Sequence, residues 1–282
     1  MSKRTGLSLM ATASSRGLTA PHQVPRQVGP GDRHQTHGPR RRPDYHRSHD
    51  PRAARSRREH RVRIGILGGT GPQGRGLGRR FAMAGHEVLL GSRDAARAQQ
   101  TADALAEAGH VSGVTNADAA RAELVVVAVP YEGHADLLAS LAAELEGRIV
   151  VDCANPLGFD KQGPYPLDVP DGSAAQEAQR ILPGSTVVGA FHHVSAVLLD
   201  DPSVTHIPGD VLVLGEDRDV VARVIDLVPA IPGARGVYAG RLRLARTVES
   251  LTANLIAVNR RYKTHAGISV TGLPEAAAES AS

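Results

Sequence analysis

Residues 65–78 read GILGGTGPQGRGLG, a run of bare backbone directly behind the apolar stretch VRIGIL at 62–67. Within it, Gly69-Thr70-Gly71-Pro72-Gln73-Gly74 spells G-x-G-x-x-G. In such a pattern the first glycine allows a tight turn and the second lets backbone approach a pyrophosphate. The third lets the following helix pack closely on its strand. Unpaired amides at the helix start and the positive end of the helix dipole then make an anion site. Glycine-rich turns without a ligand are common, so the pattern gains weight only from its surroundings.

Those surroundings alternate. HEVLLGS (86–92) reads as a second strand, DAARAQQTADALAEAG (94–109) as a helix, and VSGVT (111–115) as a short strand. After a helical turn at NADAARA (116–122), the unbroken apolar run ELVVVAVP (123–130) suits a central parallel strand covered on both faces. A helix is expected over 131–147, and RIVVDCANP (148–156) is a fifth strand ending in a loop. Further on come a helix at 174–182, strands at 185–191 and 210–215, and a helix at 218–231. The last element is a long helix over 244–261, with Leu244, Val248, Leu251, Leu255 and Val258 at helical spacing. Alternating strands and helices imply right-handed βαβ units and a doubly wound, Rossmann-type parallel sheet of the α/β class. Ligands then belong at the carboxyl ends of the strands.

The end of the second strand decides which dinucleotide the loop would take, because NAD needs an acidic side chain there for the ribose 2′-OH. Here the chain reads Gly91-Ser92-Arg93, with Arg97 one helical turn later. A hydroxyl and two guanidiniums bind a 2′-phosphate by charge-assisted hydrogen bonds, whereas a carboxylate would repel it. NADP(H) is therefore favoured over NAD. In the competing reading Asp94 takes the ribose, but that residue lies past the strand end, where it would start the next helix.

Charge is unevenly spread. The whole chain of 282 residues carries a formal +4, yet residues 1–60 hold 13 Lys/Arg against 4 Asp/Glu, leaving the remainder at −5. A basic footprint for nucleic acid is thus a property of the tail, and aromatics at 3% offer few stacking platforms for bases. Residues 1–60, dense in Pro, Gly, Arg and His, lack apolar periodicity and are expected to be disordered. The single cysteine, Cys153, excludes an intrachain disulfide and fits a reducing, cytoplasmic setting; it reads as a buried small hydrophobe. No apolar run is long enough to span a membrane, and Lys3 and Arg4 are not followed by a secretory apolar stretch. Six of the thirteen histidines sit in the tail, where nothing would preorganise a metal site, and no metal-spaced cluster is seen elsewhere.

The segments GILGGTGPQG, GSRDAARA, VAVPYEGH, GAFHHVSA and VESLT follow one another in this order between about residues 62 and 273. In this the chain resembles the F420-dependent NADP reductases (NADPH:coenzyme F420 oxidoreductases). The resemblance implies a nucleotide-binding part over 62–200, a smaller carboxyl-terminal domain over 201–274 completing the cleft, and a flexible end at 275–282. It also implies hydride exchange between NADP(H) and the 5-deazaflavin coenzyme F420. By position, Thr70 to Gln73 would wrap the pyrophosphate, and Ser92, Arg93 and Arg97 the 2′-phosphate. Val129, Pro130 and Tyr131 would border the nicotinamide. His192 would line the hydride-transfer site with Val194, Ser195 and Ala196, and Gly267 would touch the deazaflavin. The chain departs from the family pattern by an additional Gly133 after PYE and by a second histidine, His193, which leaves open which imidazole faces the ligand.

Val248 and Leu251 are expected in the core or a homodimer seam, with Glu249 and Ser250 nearer the cleft. Two alternatives to F420 reduction stand. Reduction of another small carbonyl, imine or flavin by NADPH usually needs a proton donor beside the reacting atom, and the sequence shows none. A non-catalytic NADP(H)-sensing protein would instead fill the cleft with its own side chains.

Overall fold

A computed structural model describes residues 61–273; the tail at 1–60 and residues 274–282, with the end expected at 275–282, lie outside the described residues. One eight-stranded sheet organises the chain, built on β1 (Arg63–Leu67), β2 (Glu87–Ser92), β3 (Val111–Thr115), β4 (Leu124–Val127) and β5 (Ile149–Asp152). It continues through β8 (Thr186–Gly189), β9 (Gly209–Gly215) and β10 (Ala234–Gly240), in the order β10-β9-β8-β5-β4-β1-β2-β3. Six strands are mutually parallel; β9 pairs antiparallel to β8 and parallel to β10, so the last two run the other way. The two strands that fall after residue 200, β9 and β10, thus continue the same sheet.

The central strands are short apolar runs because both faces are covered. Along β1, Ile64 and Ile66 point into one core with Leu77, Phe81 and Val126, while Leu67 points into the other with Val125, Leu138 and Val150. Helix α1 (Pro72–Met83) covers the first face, with α8 (Arg218–Ile225) further along it. The second face is covered by α4 (His134–Ser140), α5 (Ala142–Leu145), α6 (Ala174–Ile181) and α9 (Ala245–Tyr262). Helices α2 (Ala95–Asp103), α3 (Asn116–Ala120) and α7 (Ala196–Asp200) complete the set. From β1 the chain winds outward through β2 and β3, then returns to β4 on the other side of β1. This reversal opens a crevice above the carboxyl ends of β1 and β4.

Several expected elements are shorter than the sequence suggests. The helix expected at 131–147 begins only at His134, after Gly133 in the left-handed region (φ 82°), and breaks at Leu141. That expected over 218–231 ends at Ile225, where a 3-10 turn containing Pro229 takes over. Three elements were not foreseen: α7, the edge strand β10, and the hairpin of β6 (Leu157–Asp160) and β7 (Gly163–Pro166). The hairpin turn is closed by Asp160, whose carboxylate accepts from the amides of Gln162 and Gly163. Proline in β7 and glycine in β10 had masked the strand pattern. Among the described residues no helix is long and apolar enough to cross a membrane.

Candidate functional site

The glycine loop joins β1 to α1 above the crevice. Its turn is made at Gly68 (φ 76°), one residue before the expected Gly69. Gly69 is demanded by close approach instead, since a Cβ there would lie 2.9 Å from the Leu90 Cα. At Gly74 a Cβ would sit 2.6 Å from the Gly68 carbonyl oxygen, so the loop folds back tightly onto the first turn of α1. Gly71 is the N-cap and Pro72 opens the helix, where its missing N–H costs nothing.

A groove of about 460 Å³ runs from this loop across the end of β2 to the segment after β4. Thr70, Gly71, Ser92, Arg93, Arg97, Val129 and Pro130 all line it, together with Asn116, whose side-chain oxygen accepts from the Gly68 amide. Arg93 and Arg97 are exposed there. Among the described residues neither takes part in an ion pair. Asp94 is the N-cap of α2 and accepts from the amides of Ala96 and Arg97, so its carboxylate is already committed. A glycine cradle that a Cβ would fill, ending at a hydroxyl and two free guanidiniums, suits a phosphorylated adenosine dinucleotide.

Two other expected nucleotide contacts point elsewhere. The Gln73 amide nitrogen donates to the Phe191 carbonyl at 3.1 Å, tying the glycine loop to the segment after β8. The Tyr131 hydroxyl donates to Glu177 at 3.4 Å, and its ring leans on His134 with centroids 6.0 Å apart.

The second half of the site is built on residues 190–196. Phe191 adopts φ 62°, a conformation that costs a bulky side chain on the order of 1–3 kcal/mol and persists only when its surroundings impose it. The surroundings are visible: Gln73 holds the Phe191 carbonyl, while Asn155 and Thr252 donate to the His192 carbonyl at 2.9 and 3.1 Å. His192 is 3% exposed, and neither of its ring nitrogens has a partner. Burial lowers its pKa to about 4, so the ring is neutral. The neighbouring His193 is likewise lowered to about 4 by burial, but its Nε2 accepts from the Leu212 amide at 3.3 Å. Of the two imidazoles, His192 is the one with nitrogens to spare.

His192 to Ala196 line a pocket of about 600 Å³ with Thr252, Leu255, Ile256 and Asn259 of α9. Val194 and Ser195 also line a smaller adjoining pocket of about 180 Å³, as does Gly267. The expected acceptor-side residues are therefore brought together, and the nucleotide-side residues form a separate groove.

A buried charged cluster escaped the sequence reading. His134 and Asp152 are 0% exposed, with Nε2 2.6 Å from Oδ2, and Nδ1 faces Glu177 at 3.4 Å. Burial alone would lower the His134 pKa, but the two carboxylates carry it up to about 9. Glu249 caps α6 from α9 by accepting from the amides of Ala174 and Ala175; burial pushes its carboxyl up to about 7. Asp152 and Asn155 end the fifth strand, which was the one available signal. Arg80 also went unread: it is 1% exposed and donates to the carbonyls of Leu198, Leu199, Asp201 and Val204, securing the end of α7. Cys153 is buried, its thiol pushed up by burial and donating to Val127.

Residues 63–156 match a family model described as NADP oxidoreductase, coenzyme F420-dependent. The F420-dependent NADP reductase of Methanothermobacter thermautotrophicus is 38% identical over 225 residues, 76% of this chain and 97% of the relative. That of Methanocaldococcus jannaschii is 37% identical over 224 residues, 75% of this chain and 99% of the relative. A solved structure of a candidate F420-dependent NADP reductase from Arthrobacter sp. FB24 superimposes with a TM-score of 0.63 at 30% identity, covering 75% of this chain and 100% of that one. The chain belongs to the F420-dependent NADP reductase family.

Proposed function

We propose that this protein is an oxidoreductase transferring hydride between NADP(H) and coenzyme F420. The observation that carries this reading is the pairing of a phosphate-binding groove, ending at Ser92, Arg93 and Arg97, with a pocket walled by a buried, unpartnered His192. When bound, the nicotinamide and the deazaflavin supply the hydride chemistry between their own ring carbons.

The chain's residues bind, orient and exclude water. Thr70, Gly71 and the amides after Pro72 face the pyrophosphate, with Gly69 and Gly74 keeping the loop tight. Ser92 and the two guanidiniums select the 2′-phosphate. Val129 and Pro130 border the nicotinamide side. His192, neutral at physiological pH, stands in the wall of the acceptor pocket, while Val194, Ser195, Ala196 and Gly267 complete that wall. Residues 62–200 act as the nucleotide-binding part, and residues 201–274 complete the cleft.

The protein works as a cytoplasmic homodimer. A groove of about 650 Å³ between Tyr165 of β7 and Leu251, Asn254 and Ala257 of α9 supports this, as does Val258, exposed where the helical stripe predicted burial. Light scattering of the purified protein tests it: a monomer mass would contradict the seam.

The deciding experiment mixes purified protein with NADPH and oxidised F420 and follows the visible absorbance. Bleaching is expected. Its absence, with turnover of flavin mononucleotide or of a carbonyl or imine in parallel assays, would replace this reading by one of the other NADPH-dependent activities.

A further inference from the structure

Strand β9 pairs with β8 only at Val188 with Gly215 and Gly189 with Leu214. Closer to its start, β9 has no neighbour on that edge, although it stays paired with β10 on the other. The amides of Asp210 and Leu212, two residues apart, face the same edge and need other partners. Leu212 donates to His193, as described above, and Asp210 donates to the Ile268 carbonyl at 2.8 Å. One strand edge thus anchors both walls of the 180 Å³ pocket: His193 on one side, the segment after α9 on the other.

That segment, residues 264–273, has no helix or strand to hold it. Its start is tied by the Asn259 side-chain oxygen, which accepts from the Ala266 amide at 2.6 Å. Its far end is held by a pair of charges. The Asp210 carboxylate accepts from the Val270 amide at 2.5 Å and from Arg235 Nε and Nη2 at 2.7 and 2.8 Å. Arg235 Nη2 closes the ring by donating to the Val270 carbonyl at 3.0 Å. Asp210 and Arg235 stand side by side in the register of β9 and β10, and the Asp210 side chain is 3% exposed. An apolar pair there would join the two strands as well. Here the buried carboxylate and the guanidinium together satisfy both the N–H and the C=O of Val270, which an apolar pair could not.

We propose that Asp210 and Arg235 form a clasp that positions residues 265–268 as the outer wall of the acceptor pocket, and so set affinity for the deazaflavin; this rests on the function proposed above. Arg235 is a positioning residue, acting through the Gly267 segment; Asp210, whose carboxylate is taken up by Arg235 and Val270, also lines the 180 Å³ pocket beside that segment.

The test compares Asp210→Asn, Arg235→Met and Arg235→Lys with the wild type in steady-state reduction of F420 by NADPH, alongside amide-hydrogen exchange. In Asp210→Asn and Arg235→Met the KM for F420 rises about tenfold, while the KM for NADPH and kcat at saturating F420 stay within about twofold. Arg235→Lys keeps the ion pair but loses the fork to Val270, and its KM for F420 rises only about threefold. Exchange accelerates in the peptide covering 264–273 and is unchanged across 87–97. An unchanged KM for F420 alongside accelerated exchange at 264–273 overturns the clasp alone. Parallel loss of affinity for both coenzymes, with a lower Tm in the mild Arg235→Lys variant, overturns it too, showing a merely structural pair. A wild-type protein that leaves F420 unbleached overturns the proposed function and the clasp with it.

Discussion

The two halves of the cleft are built on different principles. Half of the nucleotide groove's lining comes from chain neighbours, the glycine loop, the end of β2 and the start of α2, all within residues 68–97, and among the described residues its arginines have no ion-pair partner. The acceptor side is assembled from distant segments whose polar groups, the His192 ring aside, are committed to one another. Asn155 reaches the His192 carbonyl across 37 residues, Thr252 reaches it across 60, and Arg80 holds Leu198 across 118. A groove that receives a charged ligand keeps its donors unpaired. A pocket for a flat, largely apolar ring has to be rigid before the ring arrives, so most of its polar groups are spent internally, the His192 ring being the exception.

If that contrast holds, acid should injure the acceptor side first, and this is the largest effect expected. His192 and His193 have pKa values depressed from 6.5 to about 4 in the folded chain, chiefly by burial. Their contribution to stability is complete above pH 6.5 and is lost as pH falls through 4, on the order of 3 kcal/mol for each imidazole. Urea titrations across that range should show the decline, with a shallower slope in His192→Gln; a flat profile would mean that these rings are open to water.

Next in size is Arg80→Met, which strands four carbonyls at the end of α7 and should cost about 3–5 kcal/mol in chemical denaturation. A loss under about 1 kcal/mol would show that α7 stands without it. Arg93→Ala should leave stability unchanged while weakening NADPH binding about 100-fold, with NADH binding nearly unaffected. Equal losses for both nucleotides would remove the 2′-phosphate assignment. The smallest effect is Asn155→Ala, worth about 1 kcal/mol in stability. It should raise the KM for F420 without changing that for NADPH, because its side chain bonds only to the His192 carbonyl and Thr252, both on the acceptor side. If the NADPH constant moved as well, the two halves would be less separate than drawn here.

Legibility followed the same division. The strand-loop-helix entry, the six parallel strands and the arginines after β2 could be read in advance, because apolar runs and glycine spacing act over a few residues. The β6–β7 hairpin, β10 and α7 could not, since proline, glycine and short length hide them from any periodic pattern. Glu249 illustrates the limit. It sits in the recognised segment VESLT, yet nothing in those five residues says that its carboxylate caps a helix 75 residues upstream. Nor could spacing rank His192 against His193, whose difference is a single bond to Leu212.

By itself the sequence determined a doubly wound sheet, a glycine-rich turn between β1 and α1, and a hydroxyl with two arginines at the end of β2, since each is dictated by residues that meet their partners within one or two elements. Only the tertiary structure decided which imidazole has free nitrogens, what strains Phe191, and how the segment carrying Gly267 is held. Those depend on where β9 parts from β8, and thereby on which buried donors and acceptors are left to find partners far along the chain.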